Sequence, residues 1–319
     1  MKKVFLILCV LSLCLTLFCS CSDSNIQEST ATPISAFTES AEPYSTTVPS
    51  TVTEAATTQI NPEFSFKNGC FYCATTGEML FSHNIEEKIA PASLTKLLTA
   101  SVALFYVDGE TEFTVGTELS LLNPRSSLCL IKKGHRLTLR DLITGLLLPS
   151  GNDAAYTIAV NVARKIGGEN LSDKAAVSFF SELMNSFAKL IGMNSSNFTS
   201  PDGWDNKEQY TTVSDLLKLT QFVLDTKQLR EIISLDKKYV IFRSGENITW
   251  KSTNQLLDKS SRHYSSFATG GKTGTSVSAG NCLISVYNKN NRTYISVVCG
   301  ADTSDSRYAD SNKLFEAFT

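Results

Sequence analysis

The chain has 319 residues, of which 42% are hydrophobic and 19% charged, and its formal net charge is −2. This length fits one large domain or two small ones, and the apolar fraction is typical of a protein with a buried core. The near-neutral charge and the lack of a polybasic run argue against a nucleic-acid partner.

The first 21 residues have the composition of an export signal. Two lysines follow Met1, an apolar run covers 4–18, and small and sulfur-containing residues end the segment. The run is shorter than the roughly 20 residues needed to span a bilayer. We therefore predict a signal peptide over residues 1–21.

Cys21 ends this signal in the manner of a bacterial lipoprotein box, although Phe18 is bulkier than that box favours. Two outcomes remain open. Lipidation of Cys21 would hold the protein at the extracytoplasmic face of the cell membrane, whereas ordinary cleavage would release it toward the cell wall. Residues 22–60 are rich in Ser, Thr, Ala, Glu and Pro and cannot bury enough surface to offset their ordering entropy. We expect a disordered tether there and a folded domain over 61–319.

The folded part starts with two predicted strands joined by the turn signal Thr76-Gly77-Glu78. A helix is predicted to begin at or near Ser93, after Pro91, because leucines recur there at helical spacing. Two further helices flank Pro149-Ser150-Gly151-Asn152, and amphipathic helices follow at 174–193 and 211–225.

After about residue 238 the pattern favours strands, including a hairpin of 282–288 and 292–299 around Asn290-Asn291, and then a last helix at 306–318. This order predicts an α+β fold. One antiparallel sheet would be formed from both chain ends, with a helical lobe of about 100–237 inserted between them.

Five cysteines lie beyond the signal, an odd number without the spacing of a disulfide framework. Cys70 and Cys73 form a single C-x-x-C in a predicted strand, where residues three apart point to opposite faces, which argues against zinc. Cys282 and Cys299 face each other across the predicted hairpin. A disulfide and a pair of packed free thiols both remain open there.

Three short motifs carry candidate chemistry. Ser93 and Lys96 would lie one turn apart on a helix, where a lysine of lowered pKa can take the serine proton. Ser150 and Asn152 lie in a tight connection between two apolar helices. Each pair could equally be a helix cap beside surface groups.

The third motif is Lys272-Thr273-Gly274-Thr275 in a predicted edge strand. Such a strand can offer a lysine and hydroxyls to a carboxylate while its backbone pairs with an extended peptide. Gly274 would let that peptide come close, and Gly270 and Gly271 would loosen the approach.

In this order the motifs match the S-x-x-K, S-D-N-type and K-T-G signature of the penicillin-binding proteins and β-lactamases. Within that superfamily the segments "APASLTKLLTA", "LLLPSGNDAA" and "GGKTGTSVSAGNCLI" resemble the serine D-alanyl-D-alanine carboxypeptidases, and the likeness covers roughly residues 64–319. The resemblance implies a β-lactamase/transpeptidase-like fold. It also implies a peptidoglycan pentapeptide ending in D-Ala-D-Ala as substrate and β-lactam antibiotics as covalent inhibitors.

The same resemblance implies residue roles. Ser93 would be the nucleophile, Lys96 its base and Ser150 the proton relay, while Asn152 would hold the substrate backbone. The terminal carboxylate would bind at Lys272, Thr273 and Thr275, and the backbone N–H groups of Ser93 and Thr275 would form an oxyanion hole. No metal or organic cofactor is implied. His83, His135 and His263 show no metal-ligand spacing and are expected to be structural or surface residues.

Two alternatives remain. A class A β-lactamase needs a glutamate that activates the deacylating water; no Glu-x-x-Leu-Asn pattern is present, and Glu169 and Glu208 are candidates by position alone. A non-catalytic penicillin-recognising wall sensor is the other. The chain also departs from the family at Asn281, where a basic residue is common, and near Asp202, where a histidine is typical. We expect both departures to affect the rim of the site only.

Overall fold

A computed structural model describes residues 63–319. The predicted signal, the predicted tether and Cys21 lie outside the described residues. None of the helices in the described part is both long and apolar enough to cross a bilayer.

A five-stranded antiparallel sheet forms the centre of the fold. Its strands are β1 (Asn68–Cys73), β2 (Glu78–His83), β7 (Ala268–Ser276), β8 (Gly280–Lys289) and β9 (Arg292–Ala301). They lie in the order β2-β1-β9-β8-β7. Two of the strands come from the start of the folded region and three from its end, which confirms the predicted sheet from both chain ends.

Most of the helices lie between β2 and β7, as predicted. They are α1 (Thr95–Tyr106), α2 (Leu139–Leu147), α3 (Asn152–Gly167), α4 (Asp173–Leu190), α5 (Val213–Asp225) and α6 (Lys227–Ile233). The last helix, α7 (Ser306–Phe318), follows β9. The sequence did not predict α6 as a separate helix. The small sheet of β3 (Glu112–Thr114) and β4 (Arg136–Thr138) was not predicted either. The strands β5 (Lys237–Ile241) and β6 (Asn247–Lys251) agree with the strand pattern predicted after about residue 238, but they pair with each other in a separate two-stranded sheet.

Helices cover both faces of the five-stranded sheet. One face packs on the inserted helices around a core that includes Leu98 and Ile158, and the other packs on α7 through Tyr287 and Phe315. The Tyr287 and Phe315 rings are stacked with centroids 4.6 Å apart. Because both faces are covered, β8 and β9 are continuously buried in their middles and do not alternate, and the one serine that each contains there, Ser285 or Ser296, is hydrogen-bonded to Ser311 of α7.

The hairpin of β8 and β9 turns at Asn290 and Asn291, as predicted. Both residues have positive φ, 52° and 58°, which is the geometry of a type I′ turn and is favourable for asparagine. The register places Lys289 opposite Arg292 and runs regularly to Leu283 opposite Val298.

The cysteines behave as small buried groups. Cys70 and Cys73 belong to cores on opposite faces of β1, in agreement with the strand argument against a shared metal. Cys282 and Cys299 are buried and not bridged, and Cys282 Sγ donates to the carbonyl of Ala279 at 3.4 Å. Of the two alternatives, the structure therefore has the free thiols.

Candidate functional site

The first motif lies in a tight turn at the start of α1. Ala92–Leu94 forms a single 3-10 turn, and α1 begins only at Thr95, so Ser93 precedes the α-helix. Ala92 has φ of 45°, a left-handed conformation that a non-glycine residue adopts at some cost. This conformation positions Ser93 at the positive end of α1, half-buried at the surface of the cleft.

Lys96 lies directly below Ser93. Its Nζ donates to Ser93 Oγ at 2.8 Å and to the backbone carbonyl of Asp202 at 3.0 Å. The side chain is fully buried. Burial lowers the pKa of Lys96 to about 8, whereas the nearby charges of Asp202 and Asp153 raise it. Lys96 can therefore lose its proton near neutral pH, as a base for the Ser93 hydroxyl must.

The second motif lies in the connection between α2 and α3. Ser150 has φ of 63°, and Asn152 is the first residue of α3. Both side chains are buried. Lys272 Nζ donates to Ser150 Oγ at 3.0 Å, so the second and third motifs are in direct contact.

The third motif occupies β7, which is an edge strand of the sheet, as the sequence predicted. Lys272 is fully buried, and its Nζ also donates to the carbonyl of Thr273 at 2.8 Å. Burial holds the pKa of Lys272 well below its ordinary value, and the charges of Lys96 and Arg307 lower it further. Thr275 is exposed toward solvent at the same edge.

The three motifs therefore meet in one cleft. Two serine–lysine pairs lie in it, Ser93 with Lys96 and Ser150 with Lys272. The expected residues that the structure places around this cleft are Ser93, Lys96, Ser150, Asn152, Lys272, Thr273, Gly274 and Thr275.

Gly274 in the third motif and Gly271 just before it both lie where the backbone packs closely. A Cβ on Gly274 would lie 3.3 Å from Leu94 and 3.4 Å from Ala92, so this glycine makes room for the turn that carries Ser93. Gly271 has φ of 146°, and a Cβ there would lie 2.1 Å from the carbonyl oxygen of Ile284. Gly271 is therefore required by close pairing with β8 and does not loosen the strand.

The expectation that Asp202 affects only the rim was wrong. Asp202 is 3% exposed, and its carboxylate accepts from Asn152 Nδ2 at 2.7 Å while its carbonyl accepts from Lys96. At the other departure, Asn281 lies opposite Thr275 in β8, and its Nδ2 donates to the carbonyl of Ala301 at 3.0 Å.

Arg307, from α7, is a site residue that the motifs did not predict. It is 7% exposed, and its Nη1 donates to Thr275 Oγ1 at 2.9 Å and to the carbonyl of Gly274 at 3.3 Å. Its Nη2 donates to Ser304 and Tyr308, and its Nε has no partner within the described residues. Because none of these partners is an anion, the buried guanidinium is able to bind a carboxylate next to Thr275, at the edge of the sheet.

Thr253 also contributes to the placement of the third motif. Its hydroxyl is hydrogen-bonded to Thr273 Oγ1 at 2.6 Å, and its carbonyl accepts from Tyr308 at 2.8 Å. Thr253 lies in the loop between β6 and β7, two residues after β6 ends, and nothing in its local sequence indicated this contact.

Two glutamates were considered for a lactamase-type deacylation. Glu169 and Glu208 are both exposed. Among the histidines, His83 is exposed, His135 lies 3.9 Å from Glu246, and His263 contacts Asp305 at 2.9 Å. Within residues 63–319, no three metal-ligating side chains lie together.

Comparison with known proteins places these features in context. The family model described as D-alanyl-D-alanine carboxypeptidase, Peptidase S11, matches residues 55–303. The chain is 31% identical over 255 residues to D-alanyl-D-alanine carboxypeptidase DacD of Escherichia coli K12, covering 75% of this chain and 59% of DacD. It is 28% identical over 273 residues to a D-alanyl-D-alanine carboxypeptidase of Streptomyces sp. K15, covering 81% of this chain and 89% of that protein.

Solved structures show the same architecture. The crystal structure of the Streptomyces K15 DD-transpeptidase superimposes with a TM-score of 0.72 at 27% identity, covering 80% of this chain and 97% of that one. The DacD carboxypeptidase of Francisella tularensis shares the fold with a TM-score of 0.69 at 24% identity, covering 80% and 70% of the two chains. The predicted transpeptidase-like α+β fold is thereby confirmed.

Proposed function

The chain belongs to the D-alanyl-D-alanine carboxypeptidase family, peptidase family S11, and on that premise we propose that it removes the terminal D-alanine from peptidoglycan stem peptides through an acyl-enzyme on Ser93. The observation that carries the proposal is the pair of serine–lysine contacts in one cleft, 2.8 Å for Ser93 with Lys96 and 3.0 Å for Ser150 with Lys272.

Acylation begins at Ser93. Lys96, with its pKa lowered to about 8 by burial, takes the hydroxyl proton as Oγ attacks the carbonyl of the penultimate D-alanine. The developing negative charge on the carbonyl oxygen is stabilised by the backbone N–H groups of Ser93 and Thr275, a contribution of a few kcal/mol per donor. The edge position of β7 supports this role, since an edge strand has free N–H groups.

The second serine–lysine pair serves the leaving group. As the peptide C–N bond breaks, the departing amine needs a proton, and Ser150 supplies it while its hydroxyl is replenished through the network of Lys272 and Lys96. Water then attacks the ester at Ser93, which releases the shortened peptide and restores the serine.

The terminal carboxylate of the substrate binds at the outer end of β7. Thr275 offers a hydroxyl there, Arg307 contacts that hydroxyl at 2.9 Å, and Lys272 adds a buried amine that can be protonated as the anion binds. The carboxylate therefore meets a guanidinium and an amine that have no anionic partner among their hydrogen bonds, and this supports an exopeptidase that requires a free C-terminus. A penicillin presents a carboxylate at a comparable distance from its reactive carbonyl and would acylate Ser93.

We place the enzyme outside the cytoplasm, at the membrane or cell wall, since its substrate lies there. The signal composition of residues 1–21 supports export, and Cys21 is the proposed lipid-bearing residue. Metabolic labelling with a palmitate analogue tests this point: label in the wild type and its loss in Cys21→Ala are expected, and an unlabelled wild type would mean ordinary cleavage.

The function is tested with the purified domain, fluorescent penicillin and diacetyl-L-Lys-D-Ala-D-Ala. We expect a stable covalent adduct and release of D-alanine, both lost in Ser93→Ala and both retained in Ser260→Ala, an exposed serine in the loop before β7. Rapid turnover of the penicillin would indicate a β-lactamase instead. A wild type that neither labels nor releases D-alanine would leave only the sensor hypothesis.

A further inference from the structure

The segment Ser200–Asp205 packs directly on the turn that carries Ser93. Gly203 has φ of 85°, and a Cβ there would lie 1.8 Å from the carbonyl oxygen of Ala92, so only glycine permits this approach. The close packing brings both the carbonyl and the carboxylate of Asp202 into the cleft, beside Lys96 and Asn152.

The carboxylate of Asp202 is fully engaged. One oxygen accepts from Ser200 Oγ at 2.9 Å and from the backbone N–H of Trp204 at 3.1 Å, and the other accepts from Asn152 Nδ2 at 2.7 Å. With three donors around it and 3% exposure, this group is held rigidly. It is a fixed contact for the second motif and not a carboxylate free to bind water.

The contact determines which way the amide of Asn152 points. An ionised carboxylate only accepts hydrogen bonds, so the atom of Asn152 that faces it must be the NH₂ group. The second amide proton reaches Ser126 Oγ at 3.1 Å. Both donors are therefore used, and Oδ1 is the atom left for the substrate. Its neighbour, Ser127 Oγ, lies 3.3 Å away and donates more closely to the carbonyl of Ser150 at 2.6 Å.

Asp202 also sets the charge balance around Lys96. The groups that face this ammonium are Asp202 from the Ser200–Asp205 segment, Asp153 from α3 and Cys129 from the preceding loop. Lys272 of β7 is also close enough for the charge of Lys96 to lower its pKa. Tyr156 of α3 lies near Asp202 and has its pKa raised, by burial first and by that carboxylate second. Of the neighbours that favour the charged form of Lys96, Asp202 contributes most.

We propose that Asp202 is a positioning residue of this site, which fixes Asn152 with its oxygen toward the substrate and supplies the negative charge that counterbalances Lys96. The inference rests on the proposed acyl transfer. It predicts that Asn152 accepts a hydrogen bond from a substrate N–H. It also predicts that the pH at which acylation becomes effective depends on a carboxylate outside the three motifs.

The test compares Asp202→Asn, Asp202→Glu and the wild type across pH, using the acylation rate with fluorescent penicillin and kcat/KM for diacetyl-L-Lys-D-Ala-D-Ala. Asp202→Asn removes a negative charge that favours protonated Lys96. The midpoint on the acid side of the pH–rate profile should therefore move lower by about one pH unit, the lower end of the usual effect of one adjacent charge. The maximal kcat/KM should fall about tenfold, one hydrogen bond of a charged group. Asp202→Glu keeps the charge but displaces it, so the midpoint should stay while the maximum falls.

Two further variants separate positioning from a general loss of structure. In an Asn152→Ala background, Asp202→Asn should cost little additional activity at the optimum yet still shift the midpoint. Glu208→Gln removes an exposed carboxylate a few residues away and should change neither quantity. An unchanged midpoint in a folded Asp202→Asn variant, or equal midpoints and equal losses in the Asn and Glu variants, would overturn the inference.

The two proposals fail in different ways. A wild type that forms no adduct at Ser93 defeats the proposed function itself. A wild type that labels normally, together with an Asp202→Asn variant whose pH profile matches it, defeats only the role of Asp202. If Asp202→Asn does not fold, Asp202→Glu decides: a midpoint that moves with the charge retained contradicts the proposal.

Discussion

Two buried lysines, Lys96 and Lys272, lie in the same cleft and are each hydrogen-bonded to a serine, but their electrostatic surroundings are opposite. Lys96 faces carboxylates, Asp202 and Asp153, which favour its charged form. Lys272 faces cations, Lys96 and Arg307, which disfavour it. Burial lowers the pKa of both lysines, so the difference comes from the neighbours.

The difference indicates how one residue type can serve two purposes. With carboxylates beside it, Lys96 is held at a pKa of about 8, close to the pH at which a general base is most effective. With cations beside it, Lys272 lies in a region of unbalanced positive charge, which an anionic substrate group can neutralise. We therefore expect the first lysine to control rate and the second to couple binding to proton uptake.

The largest effect is expected from Lys96→Met, which keeps the length of the side chain and removes the base. Acylation by penicillin should fall by about 10³-fold, within the range for loss of general-base catalysis. In the wild type the acylation rate should rise with pH and level off above about 8, because only the neutral amine accepts the proton. That dependence should be absent in the variant.

Lys133→Met is the matched control for this comparison. Lys133 is exposed and belongs to none of the three motifs, and its replacement should leave both the rate and the pH profile unchanged. Stopped-flow labelling at several pH values measures both. If Lys96→Met acylated within tenfold of the wild type, the base would have to be sought elsewhere, with Lys272 the first candidate.

A smaller effect is expected from Arg307→Gln, which removes the guanidinium beside Thr275 and Gly274 of β7. Removing one partner of a buried charged contact costs about 2–5 kcal/mol, so kcat/KM for the peptide should fall by about 10²-fold. The loss should appear mainly in KM. Arg292→Gln, at the exposed tip of the β8–β9 hairpin, is the control.

A substrate with an amidated C-terminus provides the independent check on Arg307. The wild type should lose about as much activity on the amide as Arg307→Gln loses on the acid, and the variant should lose little more when both changes are combined. Additive losses would mean that Arg307 supports β7 structurally and does not bind the carboxylate.

The sequence predicted the large elements and the three motifs because these depend on local signals. Asn290-Asn291 between two apolar runs indicated the hairpin, and the spacing of Ser93 and Lys96 placed them one turn apart. The exact start of α1 was not predicted, because the left-handed φ of Ala92 is imposed by packing against Gly203 and Gly274.

The contacts that the sequence did not predict join distant parts of the chain. Asp202 is 50 residues from Asn152 and 106 from Lys96, and Arg307 is 32 residues from Thr275. Arg307 occurs in a polar stretch at the start of a predicted helix, and nothing in that stretch distinguishes it from a surface arginine. Only tertiary structure reveals that it is buried.

Lys272 should take up protons when the substrate carboxylate binds. Its pKa lies well below the ordinary value in the free enzyme, and an anion nearby raises it. At a pH between the free and bound values, binding therefore adds protons to the protein. Calorimetry on Ser93→Ala in two buffers of different ionisation enthalpy measures this uptake. It should be up to one proton per peptide, and Lys272→Met in the same background should abolish it.

The smallest effect is expected from the neutral hydrogen bond between Thr253 and Thr273, next to Lys272. Thr253→Val removes the hydroxyl that lies 2.6 Å from Thr273 Oγ1 but keeps the side-chain shape. A net hydrogen bond is worth about 1 kcal/mol, so kcat/KM should fall about fivefold. The pH profile should not move, because no charge near Lys96 changes. Thr249→Val, at an exposed position of β6, should be neutral. A shift in the profile of Thr253→Val would show that the placement of β7 also governs Lys96, and the two lysines would then have to be treated as one coupled unit.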